Sequence, residues 1–223
     1  MLVRLWLSDN QLTGTVPSEL TVLTTLTDLN LNNNKLTGTI PSELASLTAL
    51  TGVGLYNNKL VGTVPSELAS LTALVELFLF RNQLTGTVPS ELGSLTELVQ
   101  LWLYGNQLTG VIPTSLGSLT LLQEVWLNNN QLTGTIPSEL ASLTGLWDLQ
   151  LDTNRLSGTV PSELISLTAL YSLSLQDNDL TGNVDSIFCK SPKKPIPAIA
   201  DCYGQSPKII CSCCACRGAP FGE

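Results

Sequence analysis

Histidine is absent from this 223-residue chain, and charged residues make up only 13% of it. Each absence excludes something. Without histidine the chain lacks the commonest general base near neutral pH and the commonest transition-metal ligand. Long apolar runs are missing too: none approaches the ~18 consecutive apolar residues of a membrane helix, so no segment is expected to span a bilayer. Basic residues are scarce over most of the chain. Residues 1–184 hold five Lys/Arg against fifteen Asp/Glu, a net of −10, while residues 185–223 hold five against three, a net of +2, together giving −8. An acidic body has no Lys/Arg surface with which to neutralise phosphates, so nucleic acid is not an expected partner. With so few charges and a mean hydropathy of +0.25, a soluble chain must hide its leucines systematically.

The means is a repeat. Asparagine recurs at Asn10, Asn34, Asn58, Asn82, Asn106, Asn130, Asn154 and Asn178, always 24 residues apart, with no insertion or deletion. Aligned on these, the chain reads LxxLxLxxNxLTGTIPSELxxLTx, with Val often replacing Ile. The leucine three before each Asn (Leu7 to Leu175), the leucine two after it (Leu12 to Leu180) and the glycine four after it (Gly14 to Gly182) never vary. The LxL segment alternates with period two, so its leucines face one way, as in a half-buried strand. Strands of successive coils would stack in parallel at roughly 4.8 Å. A buried Asn after the strand can satisfy backbone groups that the bend leaves unpaired. Glycine permits positive φ or close approach at the next turn. Proline then fixes φ ahead of SEL, which suits a short 3₁₀ turn. One coil cannot bury its leucine face alone; stacked neighbours can.

The frame resembles the plant-type leucine-rich repeats of receptor-like kinases, receptor-like proteins and polygalacturonase-inhibiting proteins, over residues 2–184. The resemblance implies an α/β solenoid: a right-handed superhelix of about eight coils with a parallel β-sheet on its concave face. Short 3₁₀ or helical turns would line the convex face, with a second short sheet near LTGxIP. It also implies recognition of a peptide, protein or glycan outside the cell, and no catalysis or cofactor.

Function should show where the frame leaves residues free. On each strand the residues six, four and two before the Asn point to the concave side. Four before it stand Trp6, Asn30, Gly54, Phe78, Trp102, Trp126, Gln150 and Ser174; two before it stand Ser8, Asn32, Tyr56, Phe80, Tyr104, Asn128, Asp152 and Gln176. Seven of the twelve aromatics therefore occupy two frame positions, which predicts an aromatic patch on coils three to six. Aromatics are also good strand residues that cover one another down a column. An exposed contiguous apolar patch nevertheless marks a contact surface, and Trp and Tyr are enriched at binding hot spots. The expected ligand-binding residues are Tyr56, Glu76, Phe78, Phe80, Trp102, Tyr104, Glu124, Trp126, Asp148 and Asp152. Their carboxylates, with Asp28, are expected as a solvated rim, with Arg81 and Arg155 at the edge. A glycosidase pair is a poor reading of them, because an open sheet has no enclosed pocket to raise one pKa.

A rival surface lies in the LTGT segments. Threonines three and five after the Asn (Thr13/Thr15, Thr37/Thr39, Thr85/Thr87, Thr133/Thr135, and in part Thr63, Thr109, Thr159 and Thr181) should both point outward. Such a two-column array resembles the ice-binding faces of repeat antifreeze proteins. It is interrupted at Val61, Val111, Ser157 and Asn183. A structural or adhesive wall protein is the third reading.

After Gly182 the frame fails, and all six cysteines follow: Cys189, Cys202, Cys211, Cys213, Cys214 and Cys216. Residues 185–223 are expected to cap the solenoid, and a cap with little core of its own gains most from disulfides. Spacing cannot select among the fifteen pairings, although adjacent Cys213 and Cys214 are expected to take different partners. CxCCxC also suits a zinc site, but histidine and paired CxxC knuckles are missing. Disulfides place the chain outside the cytosol, secreted or at the cell surface. The tail DCYGQSPKIICSCCACR resembles those of secreted leucine-rich-repeat proteins of diatoms and related algae. Met1 leads directly into the first leucine of a coil, so an N-terminally truncated fragment is expected, its export signal and N-cap lying upstream. No kinase motif follows the tail, so signalling would need another chain, such as a co-receptor.

Overall fold

The computed structural model describes residues 1–189, 198–200 and 209–216. Eight three-residue strands, one per coil, form the concave sheet: Arg4–Trp6, Asp28–Asn30, Gly52–Gly54, Glu76–Phe78, Gln100–Trp102, Glu124–Trp126, Asp148–Gln150 and Ser172–Ser174. Each pairs in parallel with the next at an offset of one repeat, as in Glu76↔Gln100 and Phe78↔Trp102. The leucine pattern imposes this register, because a slip of one residue would turn Leu77 and Leu101 from the core to solvent. From coil three to coil seven the frame leucines, Leu55, Leu79, Leu103, Leu127 and Leu151 among them, are fully buried. In coil one Leu7 and Leu12 remain 40% and 37% exposed.

The frame asparagines form a ladder that explains their constancy. Asn106 Nδ2 donates to the carbonyls of Leu79 and Leu103 at 3.1 and 3.0 Å, and its Oδ1 accepts the N–H of Leu84 at 3.1 Å. Asn130, Asn154 and Asn178 repeat the pattern one coil further on each time. Each thus satisfies backbone groups in its own coil and in the one before it. The residue just before the ladder Asn adopts the left-handed conformation in every coil, which is why that position favours Asn, Asp or Gly; Arg81 at φ 52° and Thr153 at φ 55° are the departures.

On the convex side seven 3₁₀ turns, from Ser18–Val22 to Ser162–Ser166, each follow the frame proline. The eighth turn, Asp185–Cys189, is π-helical instead; it lacks the proline and buries Phe188 where the frame has leucine. Between strand and turn, the LTGT segments pair through isolated bridges such as Thr63↔Thr85 and Thr87↔Thr109. They widen into a second parallel sheet of Thr133–Gly134, Arg155–Thr159, Asp179–Asn183 and Ile209–Ile210.

The tail departs from the frame in sequence, yet it continues both sheets. Ala198–Ala200 pairs with the strand of coil eight, and Ala215–Cys216 pairs with Ala198–Ala200 in turn. Disulfides join Cys189 to Cys213 and Cys211 to Cys214, so the adjacent cysteines do take different partners. Cys202 lies outside the described residues, as does the side chain of Cys216.

Candidate functional site

Parallel, in-register pairing places side chains from the same frame position side by side, about one strand spacing apart. Aromatic residues at that spacing stack. Four before the ladder Asn, the Phe78 and Trp102 rings lie 4.5 Å apart, and Trp102 and Trp126 lie 4.2 Å apart with planes within 3°. Two before it, Tyr56, Phe80 and Tyr104 stack at 4.2 and 4.5 Å. The columns touch each other, Phe80 against Trp102 at 5.8 Å and Tyr104 against Trp126 at 5.7 Å. All six rings therefore form one continuous assembly across coils three to six. Trp6 stands apart from it, 58% exposed, with the Arg4 guanidinium 5.5 Å from its ring.

The carboxylates do not all form a solvated rim. Glu124 and Asp148 are 8% and 7% exposed, and each fixes the indole of the preceding coil. Trp102 Nε1 donates to Glu124 Oε2 at 3.1 Å, and Trp126 Nε1 donates to Asp148 Oδ2 at 3.0 Å. Gln100 Nε2 donates to the other oxygen of Glu124 at 2.8 Å, and Gln150 Nε2 donates to the other oxygen of Asp148. The physical reason is that buried acceptors must be paired, and an indole N–H one coil away is the available donor. Residue type along a single column does not reveal these bonds, because they run between the columns. Glu76 keeps the exposed position expected of it, and Asp152 is half-buried. Burial raises both carboxyls; the charge of Asp28 adds to the effect at Glu76, and at Asp152 the Thr153 hydroxyl opposes it while the charge of Asp177 adds to it. Burial likewise raises Tyr56 and Tyr104. Phe80, expected on the surface, is only 6% exposed beneath its neighbours.

The stacking limits what the patch can offer. Ring faces inside a column cover one another, so the columns present mainly ring edges to a ligand. The end faces are different. Beyond Tyr104 and Trp126, on the side of coils six and seven, a hollow of 310 Å³ is lined by Tyr104, Trp126, Asn128, Asp148 and Gln150.

The threonine surface is built as expected, with an added constraint. Every threonine of the array is exposed. Those three after the Asn donate to the glycine carbonyl of the previous coil, as Thr37 Oγ1 does to Gly14 at 3.1 Å and Thr109 Oγ1 to Gly86 at 3.1 Å. Those five after the Asn lay their methyls over the next coil's glycine. Among the described residues, the Sγ atoms of Cys189, Cys211 and Cys213 lie within 4.8 Å of one another, a metal-like grouping, but disulfides already engage all three.

Five segments, residues 1–23, 25–47, 73–95, 97–119 and 121–143, match the family model for the Leucine Rich Repeat. The chain belongs to the leucine-rich-repeat family. No curated protein matches this leucine-rich-repeat chain in sequence. Among solved structures it is similar to a TDR receptor, with 34% identity over 84% of this chain and 33% of the other, at a TM-score of 0.82. It is also similar to the ectodomain of the Arabidopsis receptor kinase HAESA in complex with an IDA peptide hormone, with 36% identity over 89% of this chain and 34% of the other, at a TM-score of 0.80. A plant ice-binding protein is similar over 98% of this chain and 77% of its own, at 27% identity and a TM-score of 0.69. The chain thus spans about a third of the length of the two receptors. No helix of the described residues is long and apolar enough to cross a membrane.

Proposed function

We propose that this chain is a non-catalytic recognition module, and that it holds an extracellular peptide or protein on the aromatic face of coils three to six. The observation carrying this reading is the single six-ring assembly, held in place by buried carboxylates and still part-exposed on the concave sheet. Stacking alone would not need two buried acids to orient the indoles. Rigid aromatic anchors reduce the ordering cost of binding, which suits a contact surface. Because stacking covers the ring faces, a ridge of edges suits apolar side chains of a peptide better than sugar rings, which need an open face. The likeness to a receptor ectodomain crystallised with a peptide hormone supports the same class of ligand. Disulfides and that likeness support a location outside the cell, where a co-receptor could join the complex.

The test is capture from a displayed peptide library and a glycan array, comparing the chain with its Trp102→Ala, Trp126→Ala double variant. Peptide capture lost in the variant is the expected result; capture unchanged by it would remove the concave face from consideration. A second reading is favoured by the exposed threonine array and by the likeness to the plant ice-binding protein over nearly the whole chain. Thermal hysteresis that survives the tryptophan changes but falls on Thr85→Lys plus Thr109→Lys would establish it. No hysteresis at high concentration would eliminate it.

A further inference from the structure

The aromatic columns end one coil apart, the outer at Tyr104 on coil five and the inner at Trp126 on coil six, and both ends line one hollow. After Tyr104 the outer column continues as Asn128 and Asp152, and after Trp126 the inner column continues as Gln150 and Ser174. The backbone pairing stays in register across this seam: Gly105 N–H bonds to Asn128 O at 3.1 Å, and Asn129 N–H bonds to Asp152 O at 2.9 Å. The change is therefore one of side chains alone, from π faces to amides and carboxylates. The hollow of 310 Å³ sits on the seam.

Its walls are fixed. Trp126 is pinned from behind by Trp102 at 4.2 Å and in its own plane by the 3.0 Å bond to Asp148, so its other face turns toward coil seven. Gln150 donates to Asp148 and to Ser172 Oγ, the latter at 2.8 Å, which locks the amide. A carboxylate offers about four lone-pair sites. Asp148 spends two of them within the protein, and its side chain lines the hollow.

We propose that this hollow is a subsite for one arginine side chain of the peptide ligand. The inference rests on the reading of the concave face given above and names what that face selects. A guanidinium is planar and weakly hydrated, stacks on aromatic faces and donates in its own plane to a carboxylate. The hollow is lined by the Trp126 indole, the Tyr104 ring and the Asp148 carboxylate. Charge agrees: Glu124, Asp148, Asp152 and Asp177 lie on coils six to eight, with Arg155 as the basic residue of that stretch. Lysine would match the charge without the plane. A sugar ring would match the plane and could donate hydroxyl hydrogen bonds to the carboxylate, but would bring no positive charge to it.

The probes are N-acetyl-arginine amide, its citrulline and lysine counterparts, and cellobiose. Each is titrated into the full chain while the four indole N–H signals are followed by NMR. The arginine probe should shift the Trp126 signal, and citrulline should bind at least about tenfold more weakly, because it keeps the shape and loses the charge. Asp148→Asn can still accept the Trp126 N–H and should weaken the arginine probe at least about fivefold. Asn128→Asp, a surface change on the same wall that does not depend on the buried acid, should tighten it. Equal binding of arginine and citrulline, a Trp126 shift produced by cellobiose instead, or indifference to both variants would overturn the subsite. The readout is local and uses no library ligand. Its failure leaves the Trp102/Trp126 dependence of peptide capture standing, whereas loss of that dependence would remove the concave reading itself.

Discussion

Asp152 and Glu76 are carboxyls whose protonated form the folded state favours, chiefly because burial disfavours the charge. Their folded pKa lies above the unfolded one, so the stability they contribute is complete below the unfolded carboxyl range. It is lost as pH rises through the folded values. At neutrality both ionised groups therefore burden the fold. Asp152→Asn should raise the Tm at about pH 7 and have little effect at about pH 2.5, where both states hold the proton. Glu76→Gln should do the same more weakly, being more exposed. Thermal melts at the two pH values decide the matter: a Tm lowered by Asp152→Asn at neutrality would mean that the fold stabilises the ionised form.

Within the LTGT segments, glycine answers two demands that only the stacked coils make visible. Gly110 has φ +74°, and a Cβ there would lie 2.7 Å from Thr87 Cγ2 of the preceding coil. Gly110→Ala should cost about 1–2 kcal/mol for the left-handed conformation, with a further ~1 kcal/mol or more for the crowded methyl. Thr87→Ser removes that methyl. In urea denaturation, the Thr87→Ser, Gly110→Ala double variant should recover the crowding part and retain the conformational part. If the double variant is no more stable than Gly110→Ala, the threonine methyl turns aside freely and the close packing of the array contributes nothing.

A solenoid distributes its stability coil by coil, since each unit contacts only its neighbours. The central coils bury their leucines fully, whereas coil one leaves Leu7 and Leu12 more than a third exposed. The other end is clasped by Cys189–Cys213 and Cys211–Cys214. Hydrogen exchange in the 223-residue chain should be fastest in coil one and slowest in coils three to six. Reduction should accelerate exchange around Asp185–Cys189 and leave the centre unchanged. A uniform acceleration on reduction would show that the coils unfold as one cooperative unit instead.

The 24-residue recurrence was enough to read the strands, the 3₁₀ turns, the asparagine ladder and the aromatic columns, because a strict repeat makes sequence offset equivalent to spatial contact. Where the period stopped, so did legibility: Ala198–Ala200 and Ala215–Cys216 extend the concave sheet without a single frame leucine. Three further matters were decided by tertiary structure. Glu124 and Asp148 became buried acceptors because their indole donors lie diagonally across neighbouring strands, a relation that reading down one column does not reveal. Stacking turned the ring faces inward upon one another, which depends on side-chain rotamers and not on residue type. The seam hollow arose from the staggered ends of two columns, one coil apart, visible as letters but meaningful only once the strands lie in register. Periodic hydrophobicity dictates which backbone atoms meet; what a surface can hold depends on the side-chain geometry built upon it.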